Sequence, residues 1–195
     1  MGAVGTIGVL GGAFDPPHLG HVAVARGGVE RFALDRLLVR VIADPGHKEV
    51  ETPAELRLTL ARVAFADVVE AEVALDPYSR TVDSLRALEL EDPVFLIGAD
   101  EFVSFLTWKD PEGVLELARL GVATRPGVDD ALVDEVLSRL ALRDRVTVYP
   151  IEPHPISSTE IREAVAAGVD VAPLVGSAVA KRIRQLGLYV EASAS

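Results

Sequence analysis

Short apolar runs alternate with amphipathic stretches along the whole chain. The apolar runs predict six strands, at residues 6–10, 37–43, 68–73, 94–97, 121–124 and 145–149. The amphipathic stretches predict helices at residues 18–32, 53–65, 81–88, 111–119, 129–142, 158–167 and 177–186. Because strands that alternate with helices form parallel sheets covered on both faces, we predict an α/β fold with a Rossmann-like, doubly wound parallel sheet.

The chain shows no Pro/Gly/Ser-rich linker, no repeat and no long run of like charge. Gly187 follows the last predicted helix directly, as a helix C-cap commonly does. We therefore predict a single domain that spans residues 1–195.

Composition limits the classes of function. The 195 residues include 30 acidic and 19 basic side chains, a formal net charge of −11, and no cysteine. The missing cysteines exclude disulfides, thiolate metal sites and cysteine nucleophiles. The acidic balance argues against nucleic acid or an anionic membrane as the main partner. An anionic ligand would require basic groups that are focused locally.

The N-terminal stretch and the apolar runs bear on location. No apolar run reaches the roughly 18 residues of a membrane helix. No lysine or arginine precedes Arg26, so the start lacks the charged region of a secretory signal. We expect a cytoplasmic protein.

Thermolabile side chains are scarce, since the sequence has no asparagine and a single glutamine, Gln185. Such depletion is typical of heat-adapted proteins, although a preference for arginine over lysine also follows from a GC-rich genome. We therefore hypothesise a thermophilic source.

A glycine- and histidine-rich block, residues 11–21, follows the first predicted strand. Gly11 and Gly12 let the backbone approach a phosphate closely, and the helix that follows offers N–H groups to an anion. His18 and His21 are three residues apart, so on a helix they share one face. Two alternatives to anion binding remain. The glycines could form only a tight turn while the histidines are structural, or the two histidines could bind a metal ion. The spacing is not the G-x-G-x-x-G fingerprint of dinucleotide-binding proteins.

A second block, Ile156 to Arg162, follows the last predicted strand. Ser157 or Ser158 can cap the helix that begins there, and capping alone would explain both serines. Together with the helix N–H groups and Arg162, their hydroxyls also form a second candidate phosphate cradle.

A third group of residues lies between the two blocks. Gly98, Ala99 and Asp100 follow the fourth predicted strand, and Trp108 and Arg125 come later. Asp100 could accept hydrogen bonds from ribose hydroxyls or cap a helix. Trp108, the only tryptophan, is expected at the surface or in a pocket wall, where it could stack on an aromatic ring.

These motifs resemble a known family. Residues 11–21 resemble the GGxFDPxHxGH block of the nucleotidylyltransferase superfamily, and residues 156–162 its ISSTxIR block. The GAD…W…RPG run resembles the nicotinate-nucleotide adenylyltransferase branch. Shorter pieces resemble the same branch. Residues 45–48 resemble its PPHK turn, and residues 55–57 fall where it has a short motif that ends in His-Arg or similar. Residues 79–85 resemble its SYTxDTL segment, and residues 187–189 its Gly-Leu-Tyr ending.

The resemblance implies a reaction in which the phosphate of nicotinate mononucleotide attacks the α-phosphorus of ATP, releasing pyrophosphate and forming deamido-NAD. It implies Mg²⁺ as the counter-ion of ATP, no metal site of the protein itself, and a helical C-terminal part, about residues 156–189, that closes the active site. Whether the chain forms a homo-oligomer is left open.

The same resemblance implies roles for individual residues. It assigns catalysis to His18, His21 and Arg162. It assigns ATP binding to Gly11, Gly12, Ala13, Phe14, His18, His21, Gly98, Asp100, Ile156, Ser157, Ser158 and Arg162. It assigns mononucleotide binding to Asp15, Lys48, Ser79, Thr81, Trp108 and Arg125.

The sequence departs from the family pattern at four positions. Arg80 replaces a tyrosine, Ala13 a threonine, and Gly46 and Gly176 a proline each. Arg80 could favour the acid over the amide form of the mononucleotide. The alternatives to the implied reaction are transfer to nicotinamide mononucleotide or another phosphorylated acceptor, and a non-catalytic module that senses ATP.

Overall fold

The computed structural model describes residues 5–46, 50, 52–154 and 156–190. Six parallel strands form one sheet in the order β3-β2-β1-β4-β5-β6. The strands are β1 (Ile7–Gly12), β2 (Arg36–Ile42), β3 (Ala71–Asp76), β4 (Val94–Gly98), β5 (Arg119–Thr124) and β6 (Val146–Pro150). This strand order confirms the predicted doubly wound α/β fold, in which the chain reverses direction across the sheet between β1 and β4.

Nine α-helices accompany these strands within the described residues. They are α1 (Leu19–Phe32), α2 (Ala54–Ala64), α3 (Thr81–Leu88), α4 (Ala99–Phe102), α5 (Pro111–Leu117), α6 (Asp130–Arg139), α7 (Ser158–Ala166), α8 (Ala172–Val175) and α9 (Ser177–Leu186). Two 3-10 helices, Phe105–Thr107 and Arg143–Arg145, lie in the connections. Among the described helices, none combines the length and the apolar character that a membrane crossing requires.

Apolar side chains cover both faces of the sheet. Helices α1 and α2 pack on one face, where Leu37, Val39 and Val41 of β2 are fully buried. Helices α3 to α6 pack on the other face, around Phe95 of β4. Because alternate residues of a strand point to opposite faces, the odd-numbered side chains of β2 lie on the face that α1 and α2 cover.

Helix α1 lies very close to the sheet at Gly28. A β-carbon at this position would overlap the methyl groups of Leu96 in β4, which is itself fully buried. Glycine is therefore required for the helix to reach this depth.

The three C-terminal helices form a further apolar cluster against α2. Ile161 of α7, Val175 of α8 and Ile183 of α9 pack with Leu60 of α2 in this cluster. This cluster anchors α7, the helix that carries Arg162, to helix α2.

The observed elements differ from the predicted ones in a few places. Strand β3 begins at Ala71, three residues later than predicted, because Val68 packs into the core from a turn while Val69 is 92% exposed. Helix α5 ends at Leu117, since Ala118 adopts an extended conformation with φ −145°. Helices α4 and α8 and the two 3-10 helices were not predicted.

Candidate active site

A cleft of about 1170 Å³ opens at the carboxyl ends of the strands. Every predicted site residue within the described part of the chain lines it; these are Gly11, Gly12, Ala13, Phe14, Asp15, His18, His21, Ser79, Thr81, Gly98, Asp100, Trp108, Arg125, Ile156, Ser157, Ser158 and Arg162. Lys48 lies outside the described residues. The two candidate phosphate cradles, 135 or more residues apart in sequence, therefore share one cavity.

The loop between β1 and α1 is shaped around Phe14. This residue has a φ of 51° and is buried, with its ring edge-on to His21 at 5.0 Å and to Phe65 at 5.6 Å. A β-carbon on Gly12 would lie 3.0 to 3.2 Å from the Phe14 ring. A side chain at position 12 would therefore displace the Phe14 ring by a few tenths of an ångström, and glycine avoids this displacement.

His18 and His21 lie side by side at the start of α1. Their ring centroids are 3.8 Å apart, and the backbone N–H of His18 donates to Nδ1 of His21 at 3.2 Å. Because Nδ1 of His21 accepts this bond, its neutral ring carries the proton on Nε2. The spacing of three residues therefore places both imidazoles at one end of the helix, as predicted.

The environment of His18 favours the neutral ring. Burial, and secondarily the charge of His154, lower the pKa of His18 to about 4, against the opposing effect of Glu160. Its Nδ1 is buried without a hydrogen-bond partner among the described residues. At neutral pH His18 is uncharged and can donate one hydrogen bond to a ligand.

Asp15 ties the β1–α1 loop to the end of the chain. The residue is 5% exposed, and its carboxylate accepts a hydrogen bond from the Tyr189 hydroxyl at 2.6 Å. Arg162 donates to the Asp15 carbonyl oxygen at 2.8 Å, and the Ser158 hydroxyl donates to the Pro16 carbonyl oxygen at 2.9 Å. Helix α7 and Tyr189 together hold the loop that carries the histidines.

Ser157 caps helix α7, so the capping interpretation is confirmed for this serine. Its hydroxyl accepts the Glu160 N–H at 3.2 Å, while its own N–H and hydroxyl both donate to the Glu160 carboxylate at 2.7 Å. These hydrogen bonds lower the pKa of Glu160. Arg162 also donates to the Thr159 hydroxyl at 3.2 Å, which fixes its guanidinium at the cleft.

Arg57 joins two loops beneath the cleft. It is 1% exposed and donates to four carbonyl oxygens, those of Thr52 at 2.9 Å, Ala13 at 2.6 Å, Ile42 at 2.8 Å and Ala43 at 2.8 Å. Burial lowers its pKa. Arg57 belongs to a short motif that resembles the family, but its role as a link between the loops after β1 and β2 was not predicted.

Trp108 forms one wall of the cleft, in agreement with its predicted position. Its ring is edge-on to Phe105 at 5.3 Å and to Phe95 at 6.3 Å. The neighbouring Lys109 donates to Asp83 of α3 at 2.8 and 3.0 Å. The indole is therefore held by aromatic contacts beneath it and by an ion pair beside it.

Asp100 and Arg125 form an ion pair at the rim, with Arg125 Nη2 and Asp100 Oδ2 3.1 Å apart. Gly98 stands at the N-cap of α4 and Asp100 lies in its first turn. The alternative that Asp100 is a helix N-cap is therefore wrong. Its side chain is 70% exposed and accessible to a ligand.

Several polar residues that were not predicted from the sequence also line the cleft. They are Arg40, Asp76, Ser84, Lys109 and His154. Asp76 and Ser84 are buried and hydrogen-bonded to each other. One signal was present in the sequence, because an arginine at position 40 interrupts an otherwise apolar predicted strand.

Comparison with known proteins places the chain among nucleotidyltransferases. The Cytidylyltransferase-like family model matches residues 9–164. A probable nicotinate-nucleotide adenylyltransferase of Symbiobacterium thermophilum is 34% identical over 94% of this chain and 95% of its own length. The protein of the same name from Geobacter sulfurreducens is 35% identical over 93% of this chain and 97% of its own length.

Solved structures agree at the level of the fold. Plasmodium falciparum nicotinic acid mononucleotide adenylyltransferase complexed with NaAD has a TM-score of 0.74 at 16% identity, covering 95% of this chain and 97% of its own. The same enzyme complexed with APC has a TM-score of 0.71 at 15% identity, with the same coverage. The sequence relatives and the family match show that the chain belongs to the nicotinate-nucleotide adenylyltransferase family of nucleotidyltransferases, and the shared fold agrees.

Proposed function

We propose that this protein transfers the adenylyl group of ATP to nicotinate mononucleotide, forming deamido-NAD and pyrophosphate. The observation that carries the proposal is the convergence of both histidines, Arg162 and Trp108 on one cleft. Such a cleft can hold a triphosphate and an aromatic nucleotide at the same time. The names of the relatives support the same reaction.

The nucleophile of this reaction is the phosphate of the mononucleotide. The second pKa of a phosphate monoester is about 6, so it is largely ionised at neutral pH and requires no general base. The protein's task is to align two polyanions and to stabilise the charge that develops on the reacting phosphates.

His18 and His21 stand at the start of α1, where helix N–H groups also favour negative charge. We assign their N–H groups to the α- and β-phosphates of ATP. Donors placed in advance around developing charge stabilise a transition state more than the ground state. The low pKa of His18 means that it acts as a neutral donor.

Arg162 and the start of α7 face the same cleft from the other block. We assign them to the leaving pyrophosphate, because a guanidinium binds phosphate oxygens with two parallel hydrogen bonds. Gly98 and Asp100 lie at the end of β4, where we place the adenosine of ATP.

We place the mononucleotide against Trp108, with Asp15, Ser79, Thr81 and Arg125 around it. Ring stacking contributes about 0.5 to 1.5 kcal/mol beyond the burial of apolar area. Contact of Lys48 with its phosphate remains a prediction from the sequence.

The residues present fit a Mg²⁺ ion that arrives with ATP. Over the part of the chain that the structure describes, no three His, Cys, Asp or Glu side chains cluster as a metal site. The two buried carboxylates of the cleft already have donors, since Asp15 accepts the Tyr189 hydroxyl and Asp76 accepts the Ser84 hydroxyl. The ion would neutralise phosphate charge, held by ATP and water. We place the reaction in the cytoplasm.

A pyrophosphate-release assay with ATP and nicotinate mononucleotide tests the proposal. Removing one donor of this kind typically lowers turnover about a hundred- to a thousandfold. We expect that loss in His18→Ala and in His21→Ala, with the circular dichroism spectrum unchanged. Arg31→Gln, at the exposed far end of the same helix, is the matched control. Near-normal turnover in both histidine variants would contradict the assignment.

The same assay with a panel of acceptors separates the alternatives. Faster release with nicotinamide mononucleotide than with the acid would overturn the substrate. Release only with another phosphorylated acceptor would assign a related transferase reaction. ATP binding without release for any acceptor would identify a sensor module.

A further inference from the structure

Arg40 is a charged residue inside the sheet, near the carboxyl end of β2. Its neighbours Val39 and Val41 point to the face covered by α1 and α2, so Arg40 points to the opposite face. The register pairs Arg40 with Gly11 of β1, and adjacent residues in parallel strands share a face. Arg40 lines the cleft.

The side of Gly11 away from Arg40 is closed by an aromatic wall. A β-carbon on Gly11 would lie 3.7 Å from the Phe95 ring, and the Phe95 ring in turn contacts Trp108. Neighbouring strands are about 4.8 Å apart, so about 10 Å separates the backbones of β2 and β4 across the bare glycine. Arg40, the bare Gly11, Phe95 and Trp108 all line the same cleft, so a ring that packs against the aromatic wall lies on the side of the cleft that carries Arg40.

One hydrogen-bond donor of the Arg40 guanidinium is unused. Its Nε lies 3.8 Å from the Asp76 carboxylate, beyond hydrogen-bond distance, and is buried with no hydrogen-bond partner among the residues described. Asp76 instead accepts the Ser84 hydroxyl and, at 3.0 Å, the Tyr78 N–H. Asp76 therefore holds Arg40 in place, while its own charge is shared with two other donors.

Three other cations on this side of the cleft, among the residues that the structure describes, are differently placed. Lys109 is paired with Asp83 and Arg125 with Asp100. Arg80 is exposed, whereas the Arg40 side chain is only 19% exposed. Removal from water strengthens the attraction between Arg40 and a ligand anion.

We propose that Arg40 selects the acid form of the mononucleotide by binding the carboxylate of its pyridine ring. The inference rests on the proposed function and names a specificity residue within it. A carboxylate offers two acceptor oxygens to the guanidinium fork. A carboxamide presents an NH₂ group to the same donors and leaves one of them unpaired, which disfavours the amide.

The test compares the two mononucleotides as substrates of the wild type and of Arg40→Gln. We expect the ratio of kcat/KM for the acid to kcat/KM for the amide to fall about ten- to a hundredfold in the variant, because a charged hydrogen bond is lost. The rate with the amide should fall less than the rate with the acid, and the circular dichroism spectrum reports that the variant is folded.

Removing one member of a buried ion pair can unfold a protein. The double variant Arg40→Gln, Asp76→Asn removes both charges, and we expect the same fall in the ratio. Arg36→Gln is the matched control, since Arg36 lies on the same strand and face, pairs with Glu72 of β3, and does not line the cleft. Its ratio should equal that of the wild type.

Calorimetric binding of each mononucleotide without ATP separates this inference from the proposed reaction. A wild type that binds the acid more tightly, and loses that preference in the variants, supports the inference even where no pyrophosphate is released. An equal loss of affinity for the acid and the amide would mean that Arg40 binds a group that both mononucleotides share, and this result would overturn the inference. An unchanged ratio, or a ratio that falls in Arg80→Gln instead, would also overturn it.

Discussion

At the scale of single residues, the burial of His18 links stability to pH. Between pH 4 and pH 6.5 the unfolded chain binds a proton at this residue and the folded protein does not. Stability contributed by the neutral ring is therefore present above pH 6.5 and is lost as the pH falls toward 4. We expect His18→Gln to lose less stability than the wild type between pH 7.5 and pH 5, by roughly 2 kcal/mol.

Urea unfolding at the two pH values measures this difference. Arg31→Gln, exposed at the far end of the same helix, provides a comparison and should leave the pH dependence close to that of the wild type. Parallel pH curves for wild type and His18→Gln would contradict the expectation.

Single residues also show where sequence reasoning ends. His18, His21 and Arg162 could be predicted because each stands in a block whose spacing serves an anion. Arg40 could not, since a charged residue in a strand ordinarily marks a solvent-facing position. Only the strand register places it beside Gly11 and inside the cleft.

At the scale of elements, Arg57 carries the connection between the loops after β1 and β2. Arg57→Lys keeps a charge but loses the planar fork that reaches four carbonyl oxygens. We expect the free energy of unfolding to fall by about 2 to 4 kcal/mol, because buried acceptors lose their donors. Urea denaturation measures it, and Arg62→Lys, exposed on the same helix, should change it little.

Tyr189 connects the end of the chain to the loop that bears the histidines. Tyr189→Phe removes the donor to the buried Asp15 carboxylate and should cost about 1 to 3 kcal/mol of stability. We also expect KM for the mononucleotide to rise, since Asp15 lines the cleft. Steady-state kinetics and thermal unfolding measure the two effects.

Tyr149→Phe is the matched control for this prediction. The buried Tyr149 hydroxyl donates to the Val24 carbonyl oxygen at 2.9 Å, between β6 and α1. Its loss should lower stability by a similar amount and leave KM unchanged. Equal kinetic effects in both variants would show that Tyr189 acts through stability alone.

The elements themselves were largely predictable, because apolar periodicity distinguishes strands from amphipathic helices. The start of β3 was not, since Val68 and Val69 look identical in sequence although one is buried and the other exposed. Short helices such as α4 and α8 have a single turn or little more, which is too short for periodicity to register.

At the scale of the whole molecule, composition predicts heat resistance. Besides the scarcity of thermolabile residues, Asp92 pairs with both Arg119 at 3.0 Å and Arg145 at 2.7 Å. Networks of this kind contribute more at high temperature than isolated pairs do at 25 °C. We expect a thermal midpoint above about 65 °C by scanning calorimetry. A midpoint near 50 °C would contradict a thermophilic source.

The tight seat of Gly28 against Leu96 reaches beyond local packing. At 1.5 Å per residue, Gly28 lies about 15 Å along α1 from His18. A methyl group added at position 28 would push α1 away from Leu96. Because His18 and His21 stand at the start of the same helix, this shift would also displace both imidazoles. Misplacement by about 1 Å can slow a reaction a hundredfold. We therefore expect turnover to fall in Gly28→Ala, although Gly28 does not line the cleft.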